Sequence, residues 1–180
     1  FEGKLDGVNR LEVTARSVVT PTVRYEIHRR GIALVCGSDA PATSAGAVRL
    51  VMTVLGSRFD PGPLARAIQG EGIEIDQRRA ECLIAATDEL AGEVGRPNTL
   101  GLILSADPAV AVCLANRHRG VRAIRAVDPT TVDADAASVG ANLLVVNPAS
   151  ASVFQLSRMV RGFCRGGPRA CPVGLRDRLG

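Results

Sequence analysis

Three segments decide the fold: LGLILSADP at residues 100–108, VRAIRAVDP at 121–129 and LLVVNP at 143–148. Each is a short apolar run that ends in Asp-Pro or Asn-Pro. Proline is well accommodated in the first turn of a helix, and the preceding Asp or Asn side chain can cap the free backbone N–H groups. The pattern therefore predicts three buried strands, each followed by a helix that begins at Pro108, Pro129 or Pro148.

The same alternation extends over the preceding residues. Residues 48–54 form an apolar run typical of a buried strand, 63–69 have a helical pattern, 73–75 resemble a short strand, and 77–94 have the spacing of a long helix. Strands that are apolar on both faces and alternate with helices indicate a parallel, doubly wound sheet between two helical layers. We expect residues 47–180 to form this three-layer α/β domain.

Residues 1–46 precede this domain as an appendage. Extended character over 11–19, a capped helix over 22–30 and an apolar run over 32–36 predict a short strand–helix–strand unit. Residues 37–46 contain Gly, Ser, Ala, Pro and Thr with one Asp, the composition of a flexible linker.

Composition and charge exclude several classes of function. Only 3% of the residues are aromatic, there is no Trp, and no apolar run approaches the roughly 20 residues of a membrane span. Residues 157–180 carry six Arg against one acid, and four more Arg lie between residues 117 and 125. Arginine clusters without aromatic side chains favour a small anion or a protein partner, so we expect neither nucleic acid nor a membrane as a partner.

The cysteines and histidines lack the spacing of a metal site. The five Cys form no CxxC pair and no ligand pattern with the two His, so we expect neither metal nor cofactor. Cys82 and Cys113 fall in helical apolar patterns and are expected to be buried. Cys164 and Cys171 lie beside Arg and Gly and are expected to be exposed. Free thiols suit a reducing compartment, and we expect a cytoplasmic protein.

The position of the candidate site follows from the topology. In a parallel doubly wound sheet, ligands bind at the carboxyl ends of the strands, beside the amino termini of the helices. The loops at 105–110, 127–130 and 147–150 are therefore expected to share one edge of the sheet and to form the site.

A family resemblance rests on residues 101–123. Their Ala115-Asn116-Arg117 and Gly120-Val121-Arg122-Ala123 segments resemble the central motif of the ribose-5-phosphate isomerase B family, which includes the galactose-6-phosphate isomerase subunits. Residues 140–146 are similar to the family's next strand, and the resemblance extends over residues 47–180. It implies a Rossmann-like sheet, a homodimer or dimer of dimers with shared active sites, and a phosphorylated sugar as ligand in carbohydrate metabolism.

The resemblance also implies which residues occupy the family's catalytic positions. It places the proton-transferring Cys at Ser105, the glycine-rich loop that binds the enediolate at Ala106-Asp107-Pro108, and the ring-opening His at Val127. A serine hydroxyl is a poor base without activation, and Asp107 would oppose the negative charge of an enediolate. Ser105 and Asp107 are the catalytic candidates; the alternative interpretations are a turn residue and a helix cap.

Other candidates would contact the sugar phosphate. Arg169 and Arg117 lie near the family's phosphate-binding and helix-end basic positions, and a solvated surface is the alternative explanation for both. The candidates for substrate or phosphate binding are Ala109, Val110, Asn116, Arg117, Asp128 and Arg169.

The amino-terminal segment has a resemblance of its own. Residues 17–24, followed by Gly31-Ile32, are similar to a segment near the start of bacterial microcompartment-associated proteins, among them ethanolamine-utilisation accessory proteins and a cobalamin adenosyltransferase. This implies a location inside a microcompartment, with shell or cargo proteins as partners. A capped helix after any strand would produce the same pattern.

Three functional hypotheses stay open on the sequence. The first is a divergent sugar-phosphate isomerase that binds a phosphorylated sugar, with the family's aldose–ketose catalysis in doubt. The second is a non-catalytic scaffold or interaction protein of a bacterial microcompartment. The third is isomerisation by a relocated acid–base pair drawn from Asp107, Asp128 or Cys113.

Overall fold

A two-stranded parallel sheet lies in the amino-terminal unit, residues 1–44. Strand β1 (Arg10–Thr14) pairs in register with β2 (Ala33–Gly37). The computed structural model describes residues 10–14, 29, 33–37, 47–56, 58–69 and 72–179. The predicted helix over 22–30 and linker over 37–46 lie outside these residues, apart from the helical Arg29 and from Gly37, which ends β2.

Five parallel strands form the central sheet of the second unit, residues 45–180. They are β3 (Val48–Leu55), β4 (Ile73–Ala80), β5 (Thr99–Leu104), β6 (Ala123–Arg125) and β7 (Leu143–Val146). Their order across the sheet is β4-β3-β5-β7-β6. All carboxyl ends therefore lie at one edge, called the carboxyl edge below, and all amino ends lie at the opposite amino edge.

Helices cover both faces of the sheet. They are α1 (Gly62–Ile68), α2 (Leu83–Val94), α3 (Pro108–Ala115), α4 (Val132–Val139), α5 (Val153–Cys164) and α6 (Arg176–Leu179). Helices α1, α4 and α5 pack on one face, and α2 and α3 pack on the other. No helix in the described ranges is long and apolar enough to span a membrane.

Alternate residues of each strand enter opposite cores. In β3, Leu50 and Met52 pack with α1, α4 and α5, whereas Val51 and Leu55 pack with α2 and α3. All four side chains are buried. A parallel sheet between two helical layers confirms the predicted doubly wound α/β fold.

The length of β4 corrects the sequence-based expectation. Residues 77–80, expected to begin a long helix, complete the strand, and α2 starts after a short connection. Arg78 donates to Asp76 at 2.7 Å and also pairs with Glu89 and Glu93 of α2. These ion pairs stabilise the packing of the edge strand β4 against α2. The helical spacing of residues in the sequence does not reveal this tertiary contact.

Two of the three predicted helix starts are displaced. Asp128 closes a turn, because its carboxylate accepts a hydrogen bond from the N–H of Thr130 at 2.7 Å, and α4 begins only after that turn. Asn147 accepts from the N–H of Ala149 at 2.9 Å and caps a 3-10 turn. Helix α5 then begins after Ser152, whose side chain forms a capping box with the third helical residue.

Gly140 joins the end of α4 to the carboxyl-terminal segment. Its φ of 64° is the left-handed conformation that ends many helices, and its backbone lies against the backbone of Ala170. A Cβ at this position would lie 2.8 Å from the carbonyl carbon of Ala170. The residues after α5 therefore pack closely against the turn between α4 and β7.

Candidate functional site

Ser105 lies at the carboxyl end of β5, the central strand of the sheet, and is almost fully buried. Its backbone N–H donates to the carbonyl of Val146 at 3.0 Å, and its hydroxyl accepts from the N–H of Asp107 at 3.1 Å. The hydroxyl thus closes a two-residue turn just before α3. This hydrogen bond agrees with the interpretation of Ser105 as a turn residue.

Asp107 occupies the cap position of α3 without acting as a cap. Its side chain makes no capping hydrogen bond and is exposed at the carboxyl edge. The expectation of a side-chain cap is therefore wrong here, because the hydroxyl of Ser105 stabilises the turn in its place. A free carboxylate is left beside the start of α3.

Asp128 follows β6 at the same edge, where its carboxylate closes a local turn. The N–H and the hydroxyl of Thr130 donate to its carboxylate at 2.7 and 2.8 Å. These hydrogen bonds, with a smaller contribution from the nearby charge of Arg158, lower the pKa of Asp128 below its usual range. Strand β7 lies between β5 and β6, so two inter-strand spacings, about 10 Å, separate Asp128 from Ser105.

Large apolar side chains stand out at the carboxyl edge. Each belongs to a loop or first helical turn that follows a strand, and each is more than half exposed: Ile84, Val110, Val127 and Phe154. Ala109, next to Val110, is also exposed. Val127 occupies the position where the resemblance places a ring-opening His, so an apolar side chain replaces that group.

Asn116 lies at the amino edge, away from Ser105, Asp107 and Asp128. Its side chain accepts from the N–H of Ala123 at 2.7 Å and donates to the carbonyl of the same residue at 3.0 Å. Both polar groups of the amide are used to hold the first residue of β6. The contacts are those of a residue that shapes a turn.

Asn142, immediately before β7, makes similar contacts with the same loop, and the sequence analysis did not identify it. Its side chain accepts from the N–H of Arg122 and donates to the carbonyl of Gly120, both at 2.8 Å. The residue is buried. The sequence feature that could have identified Asn142 is its position in the segment 140–146, where a polar amide immediately precedes an apolar strand.

The two arginine candidates have different surroundings. Arg117 is exposed at the amino edge. Arg169 is half-buried at the end of α5, where it donates to Asp133 and to the carbonyl of Phe163, both at 2.6 Å. These contacts anchor the carboxyl-terminal segment, and phosphate binding by Arg169 or Arg117 stays a prediction.

The structure therefore divides the candidates between two edges. Ser105, Asp107, Ala109, Val110 and Asp128 share the carboxyl edge. Asn116 and Arg117 lie at the amino edge, and Arg169 follows α5.

The cysteine expectations are partly reversed. Cys82 and Cys113 are exposed, because Cys82 precedes the first turn of α2 and Cys113 lies on the outer side of α3. Cys164 is buried in the core at the end of α5, and Cys171 is half-buried. No group of three His, Cys, Asp or Glu that could hold a metal ion occurs within the described ranges.

Solved structures provide the comparison for this fold. A ribose 5-phosphate isomerase from Thermotoga maritima is 18% identical, covers 66% of this chain and 86% of its own, and gives a TM-score of 0.58. The type B ribose 5-phosphate isomerase of Trypanosoma cruzi is 16% identical, covers 73% and 93%, and gives 0.61. The ribose-5-phosphate isomerase B of Mycoplasma genitalium, solved with bound ribulose-5-phosphate, is 15% identical, covers 65% and 84%, and gives 0.53.

No protein-family model matches the chain, and no curated protein sequence matches it. The structural likeness, at low identity, covers most of each solved chain. The larger unit of this protein therefore has the fold of the ribose-5-phosphate isomerases B, in a divergent form.

Proposed function

We propose that this chain is a divergent sugar-phosphate isomerase-like protein that binds a phosphorylated sugar at the carboxyl edge without the aldose–ketose isomerisation of the fold's namesakes. The observation that carries the proposal is the burial and hydrogen bonding of Ser105. It stands where the resemblance places the catalytic thiol, and its hydroxyl is buried and already bonded to the N–H of Asp107.

Proton transfer between two sugar carbons needs a side chain that can exist as a base near neutral pH. A serine hydroxyl meets that need only beside an activating base. His118, the histidine within the described ranges, pairs with Asp88 at 2.9 Å beyond the far end of α3. The eight residues of α3, about 12 Å in length, separate this imidazole from Ser105.

The binding half of the proposal rests on topology. The chain leaves β3 through α1 on one face and leaves β5 through α3 on the other. Ligands of doubly wound sheets bind in the crevice that such a reversal creates at the carboxyl edge. Ribulose-5-phosphate in the Mycoplasma genitalium protein of this fold supports a phosphorylated sugar as the class of ligand.

An isomerase assay tests the catalytic half. With ribose 5-phosphate, we expect no turnover from the native chain and a first trace of turnover in Ser105→Cys, which supplies a more acidic side chain at the same place. Ser138→Cys, at an exposed position of α4, is the matched thiol control. Turnover by the native chain above the enzyme-free rate would contradict the proposal.

A thermal-shift titration tests binding separately. Ribose 5-phosphate should raise the Tm of the native chain, whereas ribose should not, because a ligand that binds only the folded state stabilises it. An unchanged Tm with ribose 5-phosphate, ribulose 5-phosphate and galactose 6-phosphate would remove phosphosugar binding from the proposal.

A second candidate function has one observation in its favour. The four exposed apolar side chains at the carboxyl edge suit a contact with another protein. This agrees with a non-catalytic interaction protein of a bacterial microcompartment, for which the sequence resemblance lies in residues 17–32, mostly outside the described residues. The test is co-localisation of the fluorescently tagged full chain with shell particles, compared between the native chain and Phe154→Asp. Diffuse fluorescence of the native chain would contradict it.

A further inference from the structure

We infer that the amino edge carries a second anion-binding site, for a small molecule that bears two or more phosphate groups. The site is a cavity of about 750 Å³ beside β6, on the edge opposite to the candidate sugar-phosphate site. It is independent of the function proposed for the carboxyl edge.

Two segments that are distant in sequence form the cavity walls. One wall is the loop between α3 and β6, residues 116–122, and the other is α6. The charged side chains among the lining residues, besides His118, are Arg117, Arg119, Arg122, Arg176, Arg178 and Asp177. Five arginines and one acidic residue of the described ranges therefore line a single concave space.

Some of these arginines are held in place by backbone oxygens. The Nε–H of Arg122 donates to the carbonyl of Gly140 at 2.7 Å, and its NH1 donates to the carbonyl of Gly120 at 3.2 Å. The Nε–H of Arg176 donates to the carbonyl of Cys171 at 3.2 Å. These bonds fix the side chains, and neither arginine forms an ion pair with an acid of the described residues.

Arg117 and Arg178 form neither a hydrogen bond nor an ion pair through their side chains with any residue that the structure describes. Both are exposed. Like charges in one cavity repel one another, and a bound polyanion would relieve that repulsion while using the free donors. Guanidinium groups match phosphate oxygens in geometry as well as in charge.

The shape and lining of the cavity favour a small ligand over nucleic acid. Its volume of about 750 Å³ lies within the usual range for small-molecule sites, roughly 300–1,000 Å³. No Phe, Tyr or Trp is among the lining residues, so there is no platform on which bases could stack. The ligand class that fits is a compact polyphosphorylated molecule, with pyrophosphate as its simplest representative.

The cavity walls are joined by contacts described above. Asn116 and Asn142 hold the 116–122 loop through four hydrogen bonds to its backbone or to the first residue of β6. The close approach of Gly140 and Ala170 brings the carboxyl-terminal segment to the same side. A preformed site loses less conformational freedom when a ligand binds.

Isothermal titration of the full chain with pyrophosphate at low ionic strength tests the inference. We expect one saturable site, with affinity about tenfold weaker in Arg117→Gln and in Arg178→Gln, since each substitution removes a charged hydrogen-bond donor from the site. Arg66→Gln is the matched control, because Arg66 is an exposed arginine of α1 and is not among the residues that line the cavity. The control should keep the native affinity.

The remaining outcomes separate the alternatives. Both substitutions remove exposed side chains, so the Tm of each variant should equal that of the native chain and report intact folding. No binding at millimolar pyrophosphate, or equal affinity in all four proteins, would overturn the inference. Tight binding of a single-stranded oligonucleotide that depends on the same two arginines, with no competition from pyrophosphate, would also overturn it and would assign the surface to nucleic acid.

Discussion

The two edges of one sheet differ in what they offer to a partner. The carboxyl edge, where ligands of this architecture normally bind, presents apolar side chains and the carboxylates of Asp107 and Asp128. The amino edge presents arginines around a cavity whose walls are held by Asn116 and Asn142. Asn116, which belongs to the segment that carries the family resemblance most clearly, thus stabilises a turn at the amino edge.

The largest loss of stability is expected from a substitution at Gly140, in the turn at the amino edge. Gly140→Ala should lower the free energy of unfolding by about 3 kcal/mol or more, because Ala is strained at positive φ and its Cβ would collide with the backbone of Ala170. Denaturant unfolding measures the loss.

Gly120→Ala is the matched control for that collision. Gly120 also has positive φ, but open space surrounds it. Its substitution should cost only the backbone strain, about 1 kcal/mol. Equal losses at the two glycines would show that docking of the carboxyl-terminal segment contributes nothing to stability.

A smaller effect is expected when the amide that holds the amino edge is removed. Asn142→Ala should cost about 2 kcal/mol, since it removes a buried amide that bonds both Arg122 and Gly120, and it leaves the N–H of Arg122 without its side-chain partner. Asn147→Ala, which removes a cap at the carboxyl edge, should cost about 1 kcal/mol or less. Urea midpoints at constant m-value rank the two. A larger loss of stability at Asn147 would show that the cap at the carboxyl edge stabilises the fold more than the amide at the amino edge does.

The ion pairs that hold β4 predict a dependence of stability on pH. Hydrogen bonds from Arg78 and Arg49 lower the pKa of Asp76, and those from Arg49, with the charges of Arg96 and Arg78, lower the pKa of Glu93. Because both folded-state pKa values lie below those of the unfolded chain, their stabilisation is complete above about pH 4–5 and is lost as pH falls through the folded-state values.

Glu93→Gln isolates that dependence. The substitution should cost about 1–2 kcal/mol at pH 7, because Glu93 is largely buried and pairs with Arg49 at 2.6 Å and Arg96 at 3.0 Å. Between pH 7 and pH 3 the variant should lose less stability than the native chain. Parallel pH profiles for the two proteins would refute the assigned role of Glu93.

The smallest effect on stability is expected at Asp107. Its carboxylate is exposed and makes no capping bond, so Asp107→Asn should change the free energy of unfolding by less than about 0.5 kcal/mol. If the carboxyl edge binds a phosphorylated sugar, removing this negative charge should strengthen the ribose 5-phosphate thermal shift. A weaker shift would indicate that Asp107 itself contacts the ligand.

Particular residues show how far sequence reasoning reaches. The apolar runs before Asp107, Asp128 and Asn147 predicted three parallel strands, which the structure confirms; β5 and β7 are buried throughout, whereas the edge strand β6 is buried only in part. The same dipeptides predicted the helix start correctly at Pro108 but not at Pro129 or Pro148, because Asp128 and Asn147 close turns of their own. A local motif supplies a cap, and the surrounding packing decides which backbone N–H receives it.

The candidate site was predictable as a place but not as a set of contacts. Topology places Ser105 and Asp128 at one edge, and position in the chain is enough for that. The hydrogen bond between the Ser105 hydroxyl and Asp107, and the exposure of Cys82 and Cys113, depend on the orientation of side chains in the packed molecule.

The sequence by itself determined the alternation of strands and helices, because the period of apolar residues is a local property of the chain. Only the tertiary structure decided that residues 77–80 extend a strand, since Arg78 of β4 pairs with Glu93 of the neighbouring helix α2. The tertiary structure also decided that arginines from residues 117–122 and 176–178 line one cavity. Charges more than fifty residues apart act together only after the backbone has folded, and no pattern within a short window records that encounter.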